Sequence, residues 1–124
     1  MKGKSGAQPV IIDTNALVMQ VEYRIDFEGE LTTLLGSFEI LIPTTVIHEL
    51  KNIKAKHTKT ALKIAQRYRI VESVKSGDEA IISLALKLHA IVLTNDRELR
   101  RRLIDLGQKV IYIRQRSYLA MDIP

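Results

Sequence analysis

Asp13, Glu49, Asp78 and Asp96 are the residues whose types and positions point to chemistry. A lone carboxylate at the start of a helix is an ordinary cap. Four carboxylates in one crevice are different, because each raises the cost of ionising the next. A hard divalent cation removes that cost. Mg²⁺ and Mn²⁺ prefer oxygen ligands and an octahedral shell completed by water. Such an ion, or a pair, activates water and steadies the charge of a phosphodiester under in-line attack. Capping explains Asp13, Asp78 and Asp96 singly, with Glu49 left as a surface acid. It does not explain why capping acids gather at one edge of a basic chain.

Whether they gather depends on the elements that carry them. Val10-Ile11-Ile12 is a β-branched run that reads as a strand buried on both faces, stopping at Asp13-Thr14-Asn15. A helix follows over 14–21, and a second over 26–35 keeps Phe27, Leu31, Leu34 and Leu35 at helical spacing before Gly36. Residues 38–42 form a strand closed by Pro43. Thr44 then caps a helix whose Val46, Ile47, Leu50 and Ile53 face a core. A basic helix over 59–68 buries Leu62 and Ala65, with Ile64 beside them, and 70–72 is a short strand or connector. Gly77 and Asp78 open the clearest helix, with Ala80, Ile81, Leu84, Ala85 and Leu88 on one face. Residues 90–94 make another buried strand. Asp96 begins a helix with Leu99, Leu103 and Leu106 inward, Gly107 ends it, and 110–113 is the last strand.

Strands alternating with helices, and no tight hairpin signal, predict an α/β fold. The expected architecture is a single-domain three-layer sandwich, a central, mainly parallel sheet flanked by helices. It spans residues 9–124, after a flexible N-terminus over 1–8. In such a sheet ligands bind at the carboxyl ends of the strands. Asp13 and Asp96 both follow strands there. Asp78 lies in the first turn of its helix, and Glu49 borders the Val46–Leu50 stripe, so both reach toward the same crevice.

The chain of 124 residues carries 19 Lys and Arg against 14 Asp and Glu, a net charge of +5, which favours a polyanionic partner. Between Glu49 and Glu72 there is no acid, while Lys51, Lys54, Lys56, Lys59, Lys63, Arg67 and Arg69 fall there. Arg97, Arg100, Arg101 and Arg102 form a second cluster. Aromatic residues make up only 5%, which argues against a base-stacking platform. With no Cys there is no disulfide, thiolate nucleophile or Cys-bound zinc, and His48, His57 and His89 lack ligand spacing. Any metal would be held by oxygen. No apolar run approaches the ~20 residues of a membrane span. The basic start leads into no signal-like stretch, so a cytoplasmic location with no membrane partner is expected.

Four stretches together resemble the PIN-domain family of metal-dependent ribonucleases. They are Ile12-Asp13-Thr14-Asn15, Ile47-His48-Glu49-Leu50, Gly77-Asp78-Glu79-Ala80-Ile81 and Leu93-Thr94-Asn95-Asp96-Arg97-Glu98-Leu99. The end Val110-Ile111-Tyr112-Ile113-Arg114-Gln115-Arg116 resembles the archaeal branch nearest the ribosomal-RNA processing factors. The resemblance implies an acidic Mg²⁺ or Mn²⁺ site made by Asp13, Glu49, Asp78 and Asp96, with Thr14 and Asn15 as supporting polar residues. Glu79 departs from the pattern, since that branch often carries a second Asp there. Which of the adjacent acids faces the metal stays open, and the helix start favours Asp78.

The resulting expectation is a Mg²⁺- or Mn²⁺-dependent endoribonuclease, serving ribosomal-RNA processing or acting as the toxin of a toxin–antitoxin pair. Asp13 and Asp96 bind the ion directly, and Glu49 and Asp78 directly or through water. Thr14, Asn15, Thr94 and Glu79 support them. Lys51, Lys54, Lys59, Arg97, Arg100 and Arg101 hold RNA phosphates without reading sequence. The rival is a non-catalytic RNA-binding or ribosome-assembly module on the same fold. A homodimer, an antitoxin and a ribosome-assembly partner stay open beside RNA.

Overall fold

Val10, Ile11 and Ile12 have no accessible surface, and the reason is the position of their strand, β1 (Gln8–Ile12), deep inside a six-stranded sheet. The computed structural model describes residues 6–124, so the first five residues of the expected flexible N-terminus lie outside the described residues. The sheet order is β3 (Arg69–Val71), β2 (Phe38–Pro43), β1, β4 (Ile91–Leu93), β5 (Val110–Arg114) and β6 (Tyr118–Asp122). The first five strands pair in parallel, with Val10 opposite Ile40 on one side and Ile91 on the other. From β1 the chain builds outward to β3, then crosses back to place β4 on the other flank of β1. That reversal opens a crevice beyond the carboxyl ends of β1 and β4.

Among the described residues, six helices connect the strands: α1 (Thr14–Tyr23), α2 (Phe27–Leu35), α3 (Thr44–Asn52), α4 (Thr58–Ala65), α5 (Gly77–Leu88) and α6 (Arg97–Asp105). Their apolar stripes meet the sheet through Leu17, Phe27, Leu31, Val46, Leu50, Ile81, Leu99 and Leu103. Each such side chain stabilises the fold by about 1.5–3 kcal/mol when fully buried. The expected α/β sandwich is what forms. Among the described residues, no helix is long and apolar enough to cross a membrane.

Four local expectations are corrected. Ile53 is 42% exposed, because α3 ends at Asn52 and Ile53 has already left helical geometry. Leu106 is likewise the C-cap of α6 and 49% exposed. In α4 the fully buried pair is Ala61 and Ala65, with Leu62 and Ile64 only partly covered. Thr44 does not cap α3. Ser73 does so from across the chain, its hydroxyl accepting from the Thr45 N–H at 3.2 Å.

A hairpin also appears where none was expected. β6 returns antiparallel along β5 through a turn in which Ser117 N–H donates to Arg114 O at 3.1 Å. Gln115 and Arg116 take φ of 54° and 53° in that turn. Left-handed pairs are normally written with Asn and Gly, so these residues conceal the turn from a sequence reading.

Candidate active site

Each acid reaches the crevice by a local rule. Asp13 follows β1, and its Oδ1 accepts from the Thr14 N–H at 2.8 Å to cap α1. Asp96 precedes α6, and its Oδ1 accepts from the N–H groups of Glu98 and Leu99 at 2.9 and 3.2 Å. Capping is real at both sites, but it engages one carboxylate oxygen of each. Asp78 lies in the first turn of α5, and Glu49 in the last turn and a half of α3. All four line one cavity of about 500 Å³. Among the described residues, no Lys or Arg lines it with them.

Side-chain hydrogen bonds hold the acids in place. Thr94 is fully buried; its hydroxyl donates to Asp13 Oδ2 at 2.8 Å and accepts from the Asp96 N–H at 3.2 Å. One hydroxyl thus joins the two acids that follow β1 and β4. Asn15 Nδ2 donates to Asp13 Oδ2 at 3.1 Å, and the Thr14 hydroxyl donates to Glu49 Oε1. Thr14, Asn15 and Thr94 therefore stand where the sequence places support.

Two contributors had been given no role. Asn95 donates through Nδ2 to Ile113 O at 3.0 Å and accepts the Ile113 N–H at 2.6 Å. Its side chain imitates a strand neighbour and ties the chain after β4 to β5, while its own N–H donates to Asn15 Oδ1 at 2.9 Å. The available signal was an amide immediately before the capping Asp96. Thr45 Oγ1 accepts the Gly77 N–H at 3.3 Å, which hooks the start of α5 onto the start of α3. Gly77 has a φ of +61°, which glycine adopts without steric cost as the chain turns into α5.

Glu79 is the exception among the supporting residues. It is exposed, does not line the cavity, and accepts from Arg102 Nη2 at 2.6 Å. One step along a helix is a rotation of ~100°, enough to separate it from Asp78. Of the adjacent acids, Asp78 faces the crevice.

The charges interact. Burial pushes the Asp13 carboxyl above the usual range; the Thr94 and Thr14 hydrogen bonds pull against it, and the charges of Glu49 and Asp78 add to the rise. Asp78 is also raised, first by burial and next by Asp96, with Arg102 opposing. Among the described residues, no three acids or histidines converge closely enough to grip an ion by themselves. The expected four-acid site is thus a shared cavity and not a closed cage. An all-oxygen donor set suits a hard divalent cation, which keeps part of its water shell.

The basic residues divide. Lys51, Lys54, Lys59 and Arg97 are exposed. Arg100 stacks over the Tyr112 ring at 4.4 Å, and Arg101 pairs with Glu98 at 2.5 Å and Asp105 at 3.8 Å. Both arginines have partners within the chain, whereas Lys51, Lys54 and Lys59 stand exposed.

A parallel α/β domain with carboxylates gathered at the point where strand order reverses defines a class of acid-cleft proteins. Residues 10–116 match a family model described as PIN like domain. The chain belongs to the PIN-domain family. It is 30% identical over 120 residues to Ribonuclease VapC9 of Archaeoglobus fulgidus, covering 91% of this chain and 88% of that protein. It is 31% identical over 121 residues to Ribonuclease VapC4 of Methanocaldococcus jannaschii, covering 88% and 92%. Among solved structures, the PIN domain endonuclease Utp24 superposes with a TM-score of 0.81 at 24% identity, over 94% of this chain and 92% of that one. VapBC2 from Rickettsia felis, bound to a promoter DNA fragment, gives 0.57 at 21% identity, over 76% and 92%. These two likenesses concern the fold.

Proposed function

We propose that this chain is a Mg²⁺- or Mn²⁺-dependent endoribonuclease that hydrolyses phosphodiester bonds in RNA. The observation that carries the reading is one cavity lined by Asp13, Glu49, Asp78 and Asp96 with no basic side chain from the described residues among them, in a chain of net charge +5. A module that only bound phosphate would gain nothing from a negative cleft. The ribonuclease names of the two relatives support the same reading. RNA is the substrate in both settings that the resemblance implies, ribosomal-RNA processing and toxin–antitoxin pairs.

Asp13, Glu49, Asp78 and Asp96 would hold the ion. When bound, it supplies an activated water and offsets charge on the phosphate. The chain's own groups do the positioning. Thr94 and Asn15 fix Asp13 Oδ2, Thr14 fixes Glu49, and Asn95 fixes the segment that presents Asp96. Lys51, at the end of α3, and Lys54, just beyond it, are placed to draw RNA phosphates toward the crevice.

Cleavage of single-stranded RNA in Mn²⁺, abolished by EDTA, is the expected result. Asp13→Asn and Asp96→Asn should each lower it by at least about 100-fold, the upper loss seen even for groups that only support a metal ligand. In calorimetric titration, Glu49→Gln and Asp78→Asn should weaken Mn²⁺ binding while Glu79→Gln binds as the wild type does. Undiminished cleavage by both the Asp13 and Asp96 variants would overturn the assignment.

A further inference from the structure

The cavity has a second wall, and it is apolar. Val18 and Met19 of α1, with Ile53 and Ala55 of the 53–57 connection, line it beside the acids. None of the four is fully buried. Thr58, the first residue of α4, lines the same cavity, is only 3% exposed, and its hydroxyl has no hydrogen-bond partner within the described residues. An ion with its waters needs neither feature, since apolar surface gains nothing from facing a hydration shell. The part of the substrate nearest this wall is the group attached to the phosphodiester held at the acids. Of the parts of a nucleotide, the base combines an apolar face with a hydrogen-bonding edge. Charge agrees, because Lys54 and Lys56 of the same connection are exposed where flanking phosphates would pass.

We propose that this wall is a nucleobase subsite, a reading that rests on the nuclease assignment above. One unstacked base beside the scissile phosphate lies on Val18, Met19 and Ile53, and the Thr58 hydroxyl partners its edge. Among the described residues, no aromatic side chain lines the cavity. The Met19 thioether takes that part, since sulfur packs favourably against a ring. The 53–57 connection is neither helix nor strand, so a small movement of Ile53 and Ala55 brings the base edge to Thr58. The subsite confers preference at one nucleotide, which acids that meet only phosphate cannot supply.

The test is an abasic scan of a cleaved single-stranded oligoribonucleotide through the positions flanking the mapped scissile bond. With wild type in Mn²⁺, one position should raise KM by about tenfold and leave kcat nearly unchanged. With Ile53→Ser, a change at an exposed position, that penalty should largely vanish while other positions behave as before. Thr58→Val removes the orphan hydroxyl at constant shape. It should raise Tm yet flatten the preference among the four bases at that nucleotide, a split that a merely structural threonine would not produce. Indifference to abasic substitution at every position, with divalent-dependent cleavage intact, overturns the subsite and leaves the nuclease reading standing. An unchanged penalty in Ile53→Ser assigns the wall to another occupant, such as a segment of a protein partner, and also overturns it. If wild type shows no divalent-dependent cleavage at all, the nuclease reading fails and the subsite falls with it.

Discussion

Asp13 carries two duties that oppose each other. As a cap it accepts from the Thr14 N–H, and as part of the acid cluster it is buried, 8% exposed, near Glu49 and Asp78. Its proton affinity is raised, so the folded state holds that proton more tightly than the unfolded state does. From the ordinary aspartate value of about 3.9 up to the raised one, the folded state carries more protons. Stability therefore falls as pH rises through that window and stays reduced above it. Asp13→Asn keeps an oxygen for the cap but turns an NH₂ toward Asn15 and Thr94, losing both hydrogen bonds that Oδ2 accepts and the charge with them. In EDTA the variant should melt below wild type near pH 4, and the gap should narrow steadily toward pH 7. A gap independent of pH would mean that the charge on Asp13 is not destabilising. Adding Mn²⁺ at pH 7 should reopen the gap, because the ion stabilises only the chain that binds it.

At the scale of elements, the β5–β6 hairpin shows how tertiary context overrides local preference. Two consecutive left-handed residues, neither Gly nor Asn, cost roughly 1–2 kcal/mol each. What holds them is the ladder from Val110↔Asp122 to Arg114↔Tyr118, together with Glu30 of α2, whose Oε1 accepts from the Leu119 N–H at 3.0 Å. Arg116 also lies over the Tyr23 ring at 5.5 Å, so Gln115 is the position to relax. Gln115→Asn should stabilise the fold by about 0.5–1 kcal/mol, because Asn enters the left-handed region more readily. Chemical denaturation would check it, and a loss of stability would show that Gln115 makes a contact that outweighs the strain.

For the whole molecule the decisive quantity is the separation of charge. A negative cleft sits in a positive chain, and Lys51 and Lys54 follow Glu49 within five residues. Phosphate contacts release counterions, so log affinity for single-stranded RNA should fall with log salt by about 0.7 per contact. Replacing Lys51, Lys54 and Lys59 together with Gln should flatten that slope by about 2, the sum over three contacts. Affinity unchanged between low and high salt would remove the basic face from the account. Arg101 serves as an internal control. It is committed to Glu98 and Asp105, so its replacement should move the slope less than that of any one of these lysines.

The sequence by itself determined the parallel α/β architecture and that Asp13, Glu49, Asp78 and Asp96 share one crevice. Both follow from short-range rules. A β-branched run such as Val10-Ile11-Ile12 has only a buried strand to go to, and a carboxylate after a strand falls at the carboxyl edge whatever else happens. Helical rotation likewise separated Asp78 from Glu79. Only the tertiary structure decided what depends on partners distant in the chain. Asn95 acquires its role from Ile113, Thr45 from Gly77, and α3 its cap from Ser73. The hairpin turn could not be read because Gln115 and Arg116 are held in place by pairing and not by their own preferences. Arg100 and Arg101 acquire their partners Tyr112, Glu98 and Asp105 only in the folded chain. Ile53 left the predicted core for the cavity wall because α3 stops one residue early. Periodicity gives which face a residue is on, but where a helix ends is settled by what its last turn packs against.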